Sequence, residues 1–136
     1  MQVVNSMLKH EGVMRWYDTL PLDRPNLFLG ITEDNVADFA GLPAHLKCTW
    51  KWISHIKQLD ACALRYPNHF KIWGFEDLIS DPQSSMDEIC SFMGIGNTRF
   101  AEVPDPGTLK KFHHLSDGDQ VSILRLVEQH LPEYIH

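Results

Sequence analysis

The stretch from Phe70 to Ile95 constrains this chain most, because each residue that punctuates it has a local physical meaning. Phe70-Lys71-Ile72-Trp73-Gly74-Phe75 is rich in aromatic side chains and predicts a strand. That strand runs into Glu76-Asp77-Leu78 and a short turn. Asp81 is then a helix cap, Pro82 suits the first helical position, and Asp87 and Glu88 favour the N-terminal half of the helix. Met86, Ile89, Cys90 and Met93 make its apolar stripe, and Gly94 is the expected left-handed stop.

The segment before it predicts the strongest helix. Pro43 suits its first turn, and Leu46, Trp50, Ile53, Ile56, Leu59 or Asp60, and Ala63 recur at spacings of three and four. Tyr66-Pro67-Asn68 ends it. A long helix feeding a strand that feeds a helix points to an α/β unit in a mostly parallel sheet. A lone parallel strand would leave its backbone groups unpaired. Either a weak strand lies within 26–31 or the partner strands belong to a segment outside the chain.

Elsewhere the signals are softer. Val4, Met7, Leu8 and Met14 predict a helix over 2–15, weakened by Gly12. Residues 18–43 hold Pro21, Pro25, Gly30, Gly41 and Pro43 and read as loop, with Thr32 capping a turn or two through Phe39. A second irregular stretch, 95–114, contains Pro104, Pro106 and Gly107. Ser116 to Asp119 resembles a capping box, opening a helix striped by Val121, Leu124, Val127 and Leu131 and stopped by Pro132.

With 136 residues the chain has the size of one domain. Its net charge of −6 argues against a general nucleic-acid binder, which needs a basic face. The same balance suits a multiply phosphorylated ligand only if the basic residues are concentrated in one place. The three cysteines, Cys48, Cys62 and Cys90, are an odd set that fits a reducing compartment, the cytoplasm, better than a disulfide framework. Cys48 and Cys62 on one helix would stand ~21 Å apart, beyond disulfide reach. There is no CxxC pair to suggest zinc, no apolar run near the ~20 residues of a membrane span, and no secretory leader at the N-terminus.

Phe75-Glu76-Asp77-Leu78, Asp81-Pro82 and Phe92-Met93-Gly94-Ile95 resemble, in order and spacing, a late motif of the sulfotransferases that use 3′-phosphoadenosine 5′-phosphosulfate (PAPS). In that family a strand ends in Tyr-Glu-Asp-Leu, Asp-Pro follows, and a helix closes on Phe-Leu-Gly. The Trp50/Trp52 helix and the final helix from Leu115-Ser116 to Glu133-Tyr134 are similar to the family layout, with Glu-Tyr where the family often has Gly-Tyr. Val3-Val4-Asn5-Ser6-Met7 resembles the end of the family's 3′-phosphate element. The resemblance implies the C-terminal part of a P-loop-type α/β domain, with residues 1–136 a partial domain, mostly helical with one or two short parallel strands. The phosphosulfate loop is not found in this sequence.

The resemblance also implies the chemistry: transfer of a sulfuryl group from PAPS to an acceptor hydroxyl or amine, without a metal. Ser6 would be the phosphate-binding serine, and a hydroxyl at a helix start suits that role. Phe75 stands where relatives place a tyrosine near the adenine, and plain core packing is its competing role. No catalytic base is assigned, and the chain alone is expected not to turn over. The partners implied are the donor nucleotide and an unidentified acceptor.

Other residues have plainer readings. Glu76 and Asp77, as neighbours on a strand, would face opposite sides and act structurally. His113-His114 lacks a third metal ligand and reads as surface. Trp50, Trp52 and Trp73 read as core, and Lys9 and Arg15 as solvated helix face. The alternative function is non-catalytic: a small acidic, helical domain that binds a protein partner through exposed apolar surface.

Overall fold

Two long helices form the spine of the molecule, and the longer of them supplies one face of its cavity. The computed structural model describes residues 2–96, 98–99 and 105–135. Its α-helices are α1 (Gln2–Leu8), α2 (Glu11–Thr19), α3 (Val36–Phe39), α4 (Ala44–Arg65), α5 (Phe75–Ser80), α6 (Pro82–Met93) and α7 (Asp117–His130). Two 3₁₀ segments, Pro106–His114 and Pro132–Tyr134, flank α7. Pro104, placed above in the second irregular stretch, lies outside the described residues.

α4 ends where Tyr66 leaves helical geometry before Pro67. Pro43 sits one residue earlier than expected, in extended geometry as the N-cap. α7 starts on Ser116, whose hydroxyl accepts from the Asp119 amide at 3.2 Å, one half of the expected capping box. α6 is capped by Asp81, which accepts from the Ser84 amide at 3.1 Å, and it stops at Gly94 with φ 66°.

α1 and α7 both pack against α4, and α2 packs beside α1. The core between them holds Val4, Val13, Tyr17, Leu29, Ile31, Phe39, Cys48, Ile53, Phe112, Ile123, Val127 and Leu131. Burying such side chains contributes about 1.5–3 kcal/mol each. Ile79 and Cys90 are buried outside this cluster, in the unit built by α5 and α6. Phe92 meets Trp73 there edge-on, with centroids 5.4 Å apart.

Several expectations are corrected. The predicted strand 70–75 does not form: residues 70–74 join no ladder, and Phe75 opens α5 instead. A strand needs a partner for its backbone groups, and none is present among the described residues. Gly74 instead serves as N-cap, with Glu76 and Asp77 in the first turn where the helix dipole favours acids. The parallel sheet expected of the α/β class is likewise not seen among the described residues, which are mostly helical. The only pairing there is an antiparallel bridge, Asn26 to Ile31, with hydrogen bonds of 2.9 and 3.0 Å.

The helix expected over 2–15 is broken after Leu8, because His10 caps α2 by accepting from the Val13 amide. Thr32 does not cap α3. Its own amide donates to the side chain of Asn35, which holds the N-cap position. Two stripes hold except at one position each: Met86, Ile89 and Cys90, and Leu124, Val127 and Leu131, are buried or half-buried as expected. Met93 and Val121 are exposed, while Phe92 is half-buried and Ile123 is buried. On α4 the buried face carries Cys48, Thr49, Lys51 and Ser54 beside Ile53, and Leu59 is exposed.

Candidate functional site

A cavity of about 510 Å³ opens where α1, α4, α5, the segment 72–74 and the last 3₁₀ turn converge. α4 supplies Trp52, Ile56 and Leu59, one turn apart on a single face. α1 supplies Gln2, Val3 and Ser6; the opposite wall is Ile72, Trp73, Gly74, Phe75 and Glu76. Tyr134 closes the end, its ring perpendicular to Trp52 at 6.2 Å. The lining is predominantly apolar and aromatic, with the Glu76 carboxylate as its one charged lining group among the described residues.

Ser6 and Phe75, the two residues singled out from sequence, both line this cavity. Their local settings differ from expectation. Ser6 lies in the later part of α1, not at a helix start, so free N-terminal amides do not surround it. Its hydroxyl is exposed and donates to the Gln2 carbonyl at 3.4 Å. Phe75 is half-exposed and begins a helix instead of ending a strand.

Gln2 ties α1 to the segment before α7. Its side-chain amide donates to the Leu109 carbonyl and accepts from the Phe112 amide. One residue therefore lines the cavity and holds the 3₁₀ segment against α1. Nothing in the sequence marked Gln2, since its partners are more than a hundred residues away.

A second, polar cavity of about 350 Å³ lies across the partition formed by Ile72, Trp73 and Gly74. Asp77, Asp81 and Glu88 line it, and Lys71 pairs with Glu88 at 3.1 Å. Glu76 and Asp77 thus face different cavities, although they share a helical turn. The indole N–H of Trp73 is buried in the partition with no acceptor among the described residues.

The remaining candidates other than Trp52 and Trp73 stay apart from the cavity. His113 and His114 are exposed, as are Lys9 and Arg15. No group of three or more His, Cys, Asp or Glu among the described residues is placed to hold a metal ion. Cys48 and Cys90 are buried, Cys62 is exposed, and all three are free thiols. Burial pushes the Cys48 thiol up to about 11, partly offset by the Lys51 charge and a hydrogen bond with Tyr17. Of the tryptophans read as core, all three are half-buried, and Trp52 and Trp73 do line the cavity. No helix among the described residues is long and apolar enough to cross a membrane.

No curated protein and no solved structure matches the chain. The family model described as "Sulfotransferase domain" matches residues 27–133, a span that includes Phe75, the cavity face of α4 and Tyr134's neighbour Glu133 but stops short of Ser6. That match covers most of the 136 residues, and the chain belongs to the sulfotransferase family.

Proposed function

We propose that this chain contributes the base-binding wall of a PAPS-dependent sulfotransferase, within a larger domain of the P-loop-type α/β class. The observation that carries the reading is the meeting of Ser6 and Phe75 in one aromatic cavity. PAPS supplies the sulfuryl group, which passes to an acceptor hydroxyl or amine.

The residues present fit the adenosine part of that nucleotide. Trp52, Trp73, Phe75 and Tyr134 give the flat apolar surfaces that a purine packs against, and the volume admits one. The unpaired Trp73 indole N–H is a donor of the kind a ring nitrogen accepts. Ser6 offers an exposed hydroxyl at the cavity's α1 side for a phosphate oxygen. Phe75 stacks and shields the base from water. Neither the catalytic base nor the phosphosulfate grip is assigned to a residue of this chain, so turnover belongs to the larger domain.

Adenosine 3′,5′-bisphosphate tests the reading, because Trp52 and Trp73 report on the cavity by fluorescence. The 136-residue chain should bind it weakly, in the millimolar range, and Ser6→Ala or Phe75→Ala should each weaken binding about tenfold, or roughly 1.4 kcal/mol. Binding that ignores both substitutions, or no binding at all, rejects the assignment.

A second reading has its own observation. Leu64, Met93 and Ile95 are 86%, 63% and 52% exposed, the kind of apolar surface that a protein partner covers. A chain that fails to bind nucleotide but self-associates or pulls down a partner would favour it.

A further inference from the structure

Tyr134 reaches the cavity from a three-residue 3₁₀ turn, Pro132–Tyr134, the last element of the described chain. So short a turn has little hydrogen bonding of its own: the Tyr134 amide donates to Leu131 and the Ile135 amide to Pro132. What fixes the tyrosine ring is a side-chain bond. The Tyr134 hydroxyl donates to Asp60 Oδ1 at 2.6 Å, the short distance of a charge-assisted hydrogen bond. Asp60 follows Trp52 and Ile56 at four-residue intervals along α4, so the anchor and the cavity floor share one helix face. The ring is held at 90° to Trp52.

We infer that Asp60 and Tyr134 form a latch that sets the aromatic end wall of the cavity, making both of them positioning residues for a flat aromatic ligand. The inference rests on the nucleotide reading for the identity of the ligand, and on geometry alone for the latch. Without the bond to Asp60, no other side-chain hydrogen bond among the described residues ties the terminal turn to α4, and only ring packing on Trp52 and the core sets the tyrosine's angle. The phenol carries the mark of this bond: the hydrogen bond to Asp60, then burial, then the charges of Asp60 and Glu133, push it up to about 12.

Two measurements on the 136-residue chain test this. The first is alkaline difference spectroscopy, with Tyr134→Phe subtracted to isolate one phenol among three tyrosines. The Tyr134 step should fall toward the ordinary tyrosine value in Asp60→Ala. A step that stays near its unsubstituted position overturns the latch. The second is fluorescence titration with adenosine 3′,5′-bisphosphate. Asp60→Ala and Tyr134→Phe should each weaken binding about fivefold to tenfold, and Asp60→Asn, which keeps an acceptor oxygen, should recover most of the loss. Tyr134→Phe should lower the urea midpoint only as far as loss of one part-buried hydrogen bond does, with the circular dichroism spectrum unchanged, which separates ring positioning from loss of the fold. Unaltered affinity in both variants overturns the positioning role. If the unsubstituted chain binds no nucleotide, the nucleotide reading falls, and the spectroscopic step alone decides whether the latch stands.

Discussion

The ammonium of Lys51 lies 3.6 Å from the centre of the Phe28 ring and donates a hydrogen bond to the carbonyl of the same residue. One side chain thereby grips both the face and the backbone of a residue in the loop bridged by Asn26 and Ile31. Trp16 adds a second ring 5.1 Å away, and His55 Nε2 stands 3.4 Å from the ammonium. Lys51 is only 6% exposed, a buried cation held by aromatic faces and a carbonyl, with no carboxylate paired to it among the described residues.

Removing that cation should be costly. Lys51→Met keeps most of the apolar stem but removes the charge and a donor to the Phe28 carbonyl. A loss of about 2–3 kcal/mol in urea unfolding is expected. A change below about 0.5 kcal/mol would mean that the aromatic contacts contribute little beyond packing.

Gly30 closes the same loop with φ 88°. A Cβ there would stand 2.3 Å from the Lys51 amide nitrogen and 2.4 Å from the Trp50 carbonyl carbon, both backbone atoms of α4. Neither can move without distorting the helix. Gly30→Ala should therefore destabilise the chain by more than about 3 kcal/mol, or prevent folding, as read by circular dichroism. A well-folded variant would show that the loop does not approach α4 so closely.

His55 should make stability depend on pH. Burial and the neighbouring Lys51 charge hold its imidazole below the usual histidine range, partly offset by the hydrogen bond to the Phe28 carbonyl. The folded chain then binds fewer protons than the unfolded chain just below the ordinary value. This contribution is full above about pH 6.5 and is lost as pH falls through that value toward the lower folded one. Unfolding midpoints of the unsubstituted chain and His55→Gln should diverge between pH 7 and 5 on this account, with the histidine chain losing more. Parallel profiles would remove His55 from the explanation.

Asp81 should matter locally. Its carboxylate accepts from the Ser84 amide at the start of α6, and Asp81→Ala should cost about 1 kcal/mol. Because α5 and α6 bury Ile79 and Cys90 outside the main core, faster hydrogen exchange is expected in α6 than in α4. Uniform loss of protection along the chain would show instead that the two units open together.

The helix ends were readable because capping is short-range. Ser116 and Asp119, or Asp81 and Ser84, are three residues apart, so the chain carries both partners within one turn. The same locality explains the family motif: Asp81, Pro82 and Gly94 keep their helix-punctuating roles although the strand expected before them is absent, while Glu76 and Asp77 move from a strand end to the first turn of α5. Period alone did not identify Lys51 as buried, since a lysine on an apolar stripe reads as solvated until its aromatic partners Trp16 and Phe28 are placed. Phe92 displaced Met93 from the inside for a similar reason: its partner is Trp73, nineteen positions earlier in the chain.

From its residues alone this chain declares its long helices, the Asp81 and Ser116 caps and its family, each of which rests on bonds or patterns spanning a few positions. Packing between distant segments decides the rest. Residues 70–74 do not form a strand, and 72–74 become a cavity wall, because no partner edge lies beside them among the described residues. Gln2 meets Leu109, Tyr134 meets Asp60, and Ser6 shares a cavity with Phe75 only because α1, α4 and the last turn are brought together by a common core. Contacts of that range carry no local signature, because the free energy that makes them belongs to burial of the whole core and not to any short run of residues.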